Sequence, residues 1–378
     1  MAFEHYIRSG QKWLRCGYTT GTCAALGAAG AARLLLTGRR EETMELMTPK
    51  GLLVEAPLEE CVLVGEASAR SAVRKDGGDD ADATNGYLIV ATVTRGGTGI
   101  TIDGGAGVGR VTKPGLDQPM GEAAINHVPR QMIAAAVKAE CENAGYEGGL
   151  RVEISVPDGE TLAKKTFNPM LGIQGGISIL GTSGIVEPMS QQAIVDTIAV
   201  EERQAKATGA RHLILTPGNY GLDFLRENGL DVQGVPVVKY SNFIGEALDI
   251  AVSEGFESVL LVGHIGKLVK VAGGIMNTHS RWADCRLELF CAHAALCGGD
   301  QSLCEGLMKA ATTDAAIDLL DQAGLRQPVM DRLLKAIQFH LEHRTAGACR
   351  IGAMVFSNEY GLLGRTDTVE EIMNVWKQ

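Results

Sequence analysis

The sequence lacks a basic surplus, a disulfide framework, a membrane-length apolar run and most of the usual aromatics. Its formal net charge is −10 over 378 residues. That excludes the basic footprint a duplex nucleic-acid binder needs. Aromatics make up 5%, too few to predict a stacking surface for single strands. The nine cysteines are odd in number and form no Cys-x-x-Cys pair, which points to a reducing compartment. Cys285, Cys291, Cys297 and Cys304 are spaced by six, six and seven residues. Those steps do not gather on one helix face. They read as small buried hydrophobes, and no protein metal site is expected. The apolar run Ala24 to Leu36 is too short for a bilayer and is broken by Gly and Arg. No signal-peptide pattern opens the chain. A cytoplasmic protein with no membrane or nucleic-acid partner is the expectation, and a homo-oligomer is compatible with it.

What the chain does have is glycine, 48 of them, as tight turns and close backbone approaches require. Arg15 to Gly38 reads as a loop and then a helix, with Thr19-Thr20-Gly21-Thr22 as N-cap chemistry and Gly38 as the stop. Residues 45 to 111 read mostly as strands, with a turn at Pro49-Lys50-Gly51 and an acidic insertion from Arg74 to Gly86. A helix within residues 123 to 144 is expected to be interrupted near Pro129. From Ile177 the rhythm becomes strand, glycine loop, helix, with Ser190 and Ser241 as helix caps and a short helix ending at Gly229. Alternating strands and helices predict a doubly wound parallel sheet, with ligands outside the carboxyl ends of the strands. Three glycine loops are assigned to those ends: 181–184, 217–221 and 263–267. The fold class is thus an α+β domain, residues 1–187, followed by an α/β Rossmann-like domain, residues 188–345. A C-terminal strand and loop, residues 346–378, packs back on the body.

Four stretches offer chemistry. The loop 17–23 sets backbone N–H groups and Thr hydroxyls at a helix start, which suits an anion or merely caps the helix. It lacks the Lys-Ser/Thr ending of a nucleotide-binding P-loop; a small-molecule kinase is still one reading. Asp76, Asp79, Asp80 and Asp82 fall within seven positions. Carboxylates so close repel, so a raised pKa and a base are expected there; the alternative is a solvated acidic loop. Arg110 and Lys113 flank the turn Pro114-Gly115 and are placed to clamp acidic groups or to lie on a surface hairpin. In Gly263-His264-Ile265-Gly266-Lys267, His264 closes a strand and Lys267 opens a helix. Asn277 to Ser280 form a polar knot before another helix, where His279 is a cap residue or takes a chemical role.

Taken in order, GYTTGTCAA (17–25), KDGGDDAD (75–82), GVGRVTKPGL (107–116), GEAAINHVPR (121–130), GISILGTSGIVEPMS (176–190), LTPGNYG (215–221), GHIGKLVKVAGGIMNTHS (263–280) and VFSNEYGLLGR (355–365) resemble the cobalt-precorrin-5B C-1 methyltransferases of anaerobic cobalamin biosynthesis. The resemblance spans nearly the whole chain. It implies S-adenosylmethionine as methyl donor, a corrinoid precursor as small-molecule substrate, and cobalt carried by that substrate only. It implies methylation at C-1, giving cobalt-precorrin-6A. The expected donor-side residues are Thr216, Gly218, Asn219, Gly221, Gly263, Gly266 and Lys267. The expected substrate-side residues are Thr19, Thr20, Gly21, Thr22, Arg110, Lys113, Thr182 and Ser183. Asp79, Asp80 and His264 are the candidate proton-handling groups. A non-catalytic tetrapyrrole carrier is the remaining alternative. The acidic residue and Gly-x-Gly-x-Gly run common in Rossmann methyltransferases are missing, so the donor assignment rests on loop position alone.

Overall fold

The computed structural model describes residues 3–166, 168–228 and 234–376. The chain is a mixed α/β protein that divides into two compact units, residues 1–190 and 191–378.

In the first unit, six strands form one sheet in the order Thr43–Met47, Leu53–Leu63, Ser68–Arg74, Leu88–Arg95, Leu150–Ser155, Ile100–Gly104. All neighbours are antiparallel except the last pair. The helix Thr20–Thr37 lies on this sheet and under the helix His127–Ala144. It is buried on nearly every side, which its alanines and glycines permit. A methyl on Gly30 would come 2.7 Å from Leu58 Cδ1, so a larger residue would force the Leu58 side chain to repack. Thr19 caps the helix by accepting from the Thr22 N–H, and Gly38 ends it at φ 71°, in the left-handed region glycine favours.

Pro129 does not interrupt the second helix. It is the third residue of His127–Ala144, where its missing N–H would have had no helical partner. The His127 N–H is instead capped by the Asp117 carboxylate, ten residues upstream.

In the second unit the sheet order is Val237–Lys239, His212–Thr216, Ser258–His264, Arg350–Ser357, Gly361–Arg365. The first four strands are parallel and the last is antiparallel. Side chains alternate between two apolar layers. Leu213, Leu215, Val259, Leu261, Ile351, Ala353 and Val355 pack with the helices Gln191–Ala207, Ile244–Ser253 and Arg326–Thr345. Ile214, Leu260, Val262, Met354 and Phe356 pack with Asn219–Glu227 and Val369–Trp376. Burying each such Leu, Ile or Val contributes about 1.5–3 kcal/mol, and coverage of both faces suits a parallel sheet. The second strand in sequence lies on one side of the first and the third on the other, so the connections part between His212–Thr216 and Ser258–His264.

Three expectations are corrected here. The loop 181–184 belongs to the first unit, where the strand Gly176–Ile177 pairs with Gly107–Val108. Ser241 does not cap the next helix; that helix begins at Ile244 after Phe243, and Ser241 takes a left-handed φ of 56°. The helix after the second glycine loop is Asn219–Glu227; Gly229, its expected end, lies outside the described residues.

Candidate functional site

In the first unit, three sequence-distant loops meet at the start of the helix Thr20–Thr37. The Thr19 N–H donates to the Gly184 carbonyl at 3.0 Å, and the Gly21 N–H to the Leu180 carbonyl at 3.1 Å. The Thr22 hydroxyl donates to the Gly184 carbonyl at 2.7 Å. Thr20 exchanges hydrogen bonds with Leu180 through its hydroxyl. Thr19, Thr20, Gly21 and Thr22 are all buried. The expectation of free donors is therefore corrected: the loop 180–184 takes these N–H and hydroxyl groups. Ser183 turns its hydroxyl onto Ile185, and Thr182 stays exposed.

The acidic loop is seated on the same region. Arg15 grips Asp76 through both carboxylate oxygens at 2.6 and 2.8 Å. The Arg15 N–H donates to Asp79 Oδ2 at 2.7 Å, and the Met189 N–H to Asp80 Oδ1 at 3.0 Å. Buried Lys75 pairs with Asp82. At Asp76 and Asp82 the expected raised pKa is corrected: both are lowered. The Arg15 hydrogen bonds hold Asp76 below the usual carboxylate range. At Asp82 burial pushes upward, but the Lys75 charge and the bonds from Lys75 and Thr84 outweigh it. Repulsion inside the cluster is relieved by cations that local spacing did not reveal. Lys50 completes the assembly, its N–H donating to the Ser183 carbonyl and its ammonium pairing with Glu187.

Arg110 and Lys113 are engaged elsewhere in this unit. Arg110 pairs with Asp103 at 2.8 Å and donates to the Gly104 carbonyl. Lys113 donates to the Met170 carbonyl at 3.1 Å.

In the second unit, Thr216, Gly218, Asn219, Gly221, Gly263, His264, Gly266 and Lys267 gather at the carboxyl ends of two adjacent strands. Glycine is required where the loops touch. A methyl on Gly221 would fall 2.8 Å from the Val262 carbonyl oxygen. Gly218 is the opposite case, with nothing within 4 Å of an added methyl. That open space adjoins the N-terminus of Asn219–Glu227, where no side chain caps the helix. Thr216 donates its hydroxyl to the Gly218 carbonyl.

His264 Nδ1 accepts from the Gly266 N–H at 3.0 Å. Burial holds its pKa below the ordinary histidine value, against an opposing pull from Asp314. The neutral ring then carries its proton on Nε2. In this arrangement the other ring nitrogen, Nε2, is a hydrogen-bond donor, and the Nδ1 lone pair is already taken by the Gly266 N–H.

Sequence reasoning missed one polar network. Lys267 Nζ donates to the Ser241 carbonyl and to Asn242 Oδ1, both at 2.9 Å. Thr278 Oγ1 donates to Asn242 Oδ1 at 3.2 Å. The signal available was the polar run Tyr240-Ser241-Asn242 directly after a strand. His279 Nδ1 accepts from the Arg281 N–H, a local turn cap. Among the described residues no three His, Cys, Asp or Glu side chains group to hold a metal ion, and no helix is long and apolar enough to cross a membrane.

Comparison with known proteins gives these loops a context. The family model described as CbiD matches residues 7–188, and that described as CbiD, C-terminal domain, matches residues 277–367. The chain is 45% identical to the cobalt-precorrin-5B C(1)-methyltransferase of Ruminiclostridium cellulolyticum, over 98% of each chain. It is 43% identical to the protein of that name from Photorhabdus laumondii, over 97% of this chain and 96% of that one. A 1.9 Å crystal structure of the cobalamin biosynthesis protein (cbiD) from Archaeoglobus fulgidus is 31% identical, covering 73% of this chain and 86% of that one at a TM-score of 0.40. With similarity of this extent along both units, the chain belongs to the CbiD family.

Proposed function

We propose that the chain methylates carbon C-1 of cobalt-precorrin-5B, using S-adenosylmethionine and giving cobalt-precorrin-6A and S-adenosylhomocysteine. The observation that carries this reading is the end-to-end identity with proteins named for that reaction. Nothing in the comparisons favours a kinase or a non-catalytic carrier. The reaction belongs to the cytoplasm, with the corrinoid as small-molecule partner and its cobalt as cargo.

On this reading the second unit is a Rossmann-like donor domain. Its support is the parallel sheet whose connections part between two adjacent strands, where doubly wound proteins hold ligands. The residues present fit such a ligand: Gly218 leaves open space, and Lys267 offers a cation on another loop at the strand ends. The bound donor supplies a methyl group on a sulfonium sulfur, which keeps the bonding electron pair as the methyl moves to carbon. The protein's part is alignment, which can be worth ~7–11 kcal/mol. Gly221 and Gly263 let the loops close tightly on the strand ends, which serves that alignment.

His264 acts as a fixed hydrogen-bond donor through Nε2 rather than as a base. Asp79 and Asp80 are the candidates for handling the ring's proton. Arg110, Lys113, Thr182 and Ser183 are the polar groups proposed to meet corrinoid carboxylates. The buried Thr19–Thr22 turn holds the loop that carries Thr182 and Ser183 without touching the ligand. The test is anaerobic incubation with cobalt-precorrin-5B and methyl-labelled donor. One labelled methyl at C-1 is expected; an unlabelled product, or label at another carbon, would refute the reading.

A further inference from the structure

The loops after two parallel strands are joined by one ammonium. Lys267 follows the strand Ser258–His264, and its two acceptors, Ser241 and Asn242, follow the strand Val237–Lys239. The strand His212–Thr216 lies between them. The Lys267 ammonium therefore ties together the loops of the strands on either side of the middle one.

A second ammonium stands beside it. Lys270 is 2% exposed, and its Nζ donates to the carbonyls of Thr278 at 3.1 Å and Ala283 at 2.8 Å. Lys267 is itself partly buried, and its pKa is lowered by that burial and by the Lys270 charge. Among the described residues, every acceptor of these two groups is neutral. Asp284, which feels the Lys270 charge, is itself bound by Arg286 through both oxygens. Two adjacent, buried cations with no carboxylate in hydrogen-bond contact are costly in a folded protein. An ammonium has three N–H donors, and each of these has used two.

The surroundings are held rigid. Ser241 sits at φ 56°, a region that disfavours residues with a Cβ. Backbone strain of this kind gathers at ligand sites. The loop is kept there by Lys267 and by Thr278, whose N–H and hydroxyl both bind Asn242.

We infer that Lys267, backed by Lys270, binds a carboxylate of the ligand held at these strand ends. The inference rests on the methyl-transfer reading, and two carboxylates qualify: that of the donor's amino-acid moiety and one on the corrinoid periphery. Both present a compact anion to the third N–H of Lys267, neutralising the pair.

The test is the affinity of Lys267→Met, which keeps the aliphatic stem and removes the charge, with Lys267→Arg as the charge-retaining control and a thermal melt to confirm folding. The probes are S-adenosylhomocysteine against methylthioadenosine, which lacks the carboxylate, and a corrin with free carboxylates against its methyl ester. Loss of a charged hydrogen bond weakens binding roughly 10–100-fold. That loss for S-adenosylhomocysteine, with methylthioadenosine unchanged, assigns the donor's carboxylate. The same loss for the free-acid corrin, with its ester unchanged, assigns the substrate's. Unchanged affinities in a folded variant, or equal losses for acid and neutral probes, overturn the inference. A native protein that binds neither S-adenosylhomocysteine nor the corrin acid overturns the methyl-transfer reading and the inference with it.

Discussion

Gly17 and Gly78 lie back to back, each pressed on the other's backbone. A methyl on Gly17 would fall 2.6 Å from the Gly78 nitrogen, and one on Gly78 would fall 2.7 Å from the Gly17 nitrogen. Backbone cannot swing aside as a side chain can. Gly17→Ala is expected to destabilise by ~1–3 kcal/mol or more through overpacking. Gly78→Ala adds the ~1–2 kcal/mol cost of a left-handed non-glycine residue, since Gly78 has φ 64°. Thermal unfolding should rank Gly78→Ala below Gly17→Ala, and both below the native chain. Unchanged melting would mean the acidic loop is not seated on this strand.

Glu202 gives a pH prediction. It shares the inward face of Gln191–Ala207 with Ile198 and Ala205, and neither carboxyl oxygen has a hydrogen-bond partner. Burial, reinforced by Glu254 and Glu201, pushes its pKa up to about 9 from 4.5. The folded state therefore holds a proton that the unfolded state releases between those values. Stability from this group is fully present below about 4.5 and is lost as pH rises toward about 9. Glu202→Gln should flatten the stability–pH curve over that window, by up to ~1.4 kcal/mol per pH unit. Urea unfolding at several pH values checks it; parallel curves for the two proteins would refute it.

Gly218→Ala separates folding from ligand binding. Nothing lies within 4 Å of the added methyl, and the extended backbone there, φ 178°, suits any residue. The melting temperature should not move. If the open space receives the methyl donor, S-adenosylhomocysteine affinity should fall about tenfold, a steric loss near 1.4 kcal/mol. Native affinity would put the donor elsewhere.

Asp79→Asn and Asp80→Asn each keep an oxygen for the backbone N–H that the carboxylate now accepts. Both variants should fold. Loss of a proton-handling group lowers turnover by ~10²–10⁴-fold, with donor affinity unchanged, for whichever aspartate has that role. Full turnover in both would leave these residues as loop anchors only.

Much of the second unit was legible because its strands announce themselves locally. Val259 and Leu261 alternate with Leu260 and Val262 between two apolar layers, and glycine loops follow His212–Thr216 and Ser258–His264. The helix Thr20–Thr37 was equally legible, since Thr19 and Gly38 cap it from adjacent positions. The site in the first unit was not. Thr19 and Gly21 bind residues about 160 positions downstream, and Asp76 is neutralised by Arg15, 61 positions away. A window of neighbours shows donors and charges; it does not show what consumes them. The Lys267 network was missed for the same reason, because Ser241, Thr278 and Lys267 are joined by the fold and by no local pattern.

The strand Arg350–Ser357 has a consequence for biosynthesis. It is buried along almost its whole length and pairs with Ser258–His264 over seven residues. During synthesis some ninety residues must leave the ribosome after His264 before this neighbour exists. Until then Ser258–His264, one of the most apolar strands in the chain, stands as an open edge with unpaired backbone. A ribosome that stalls within the helix Arg326–Thr345 would thus release a chain prone to self-association rather than a smaller folded unit.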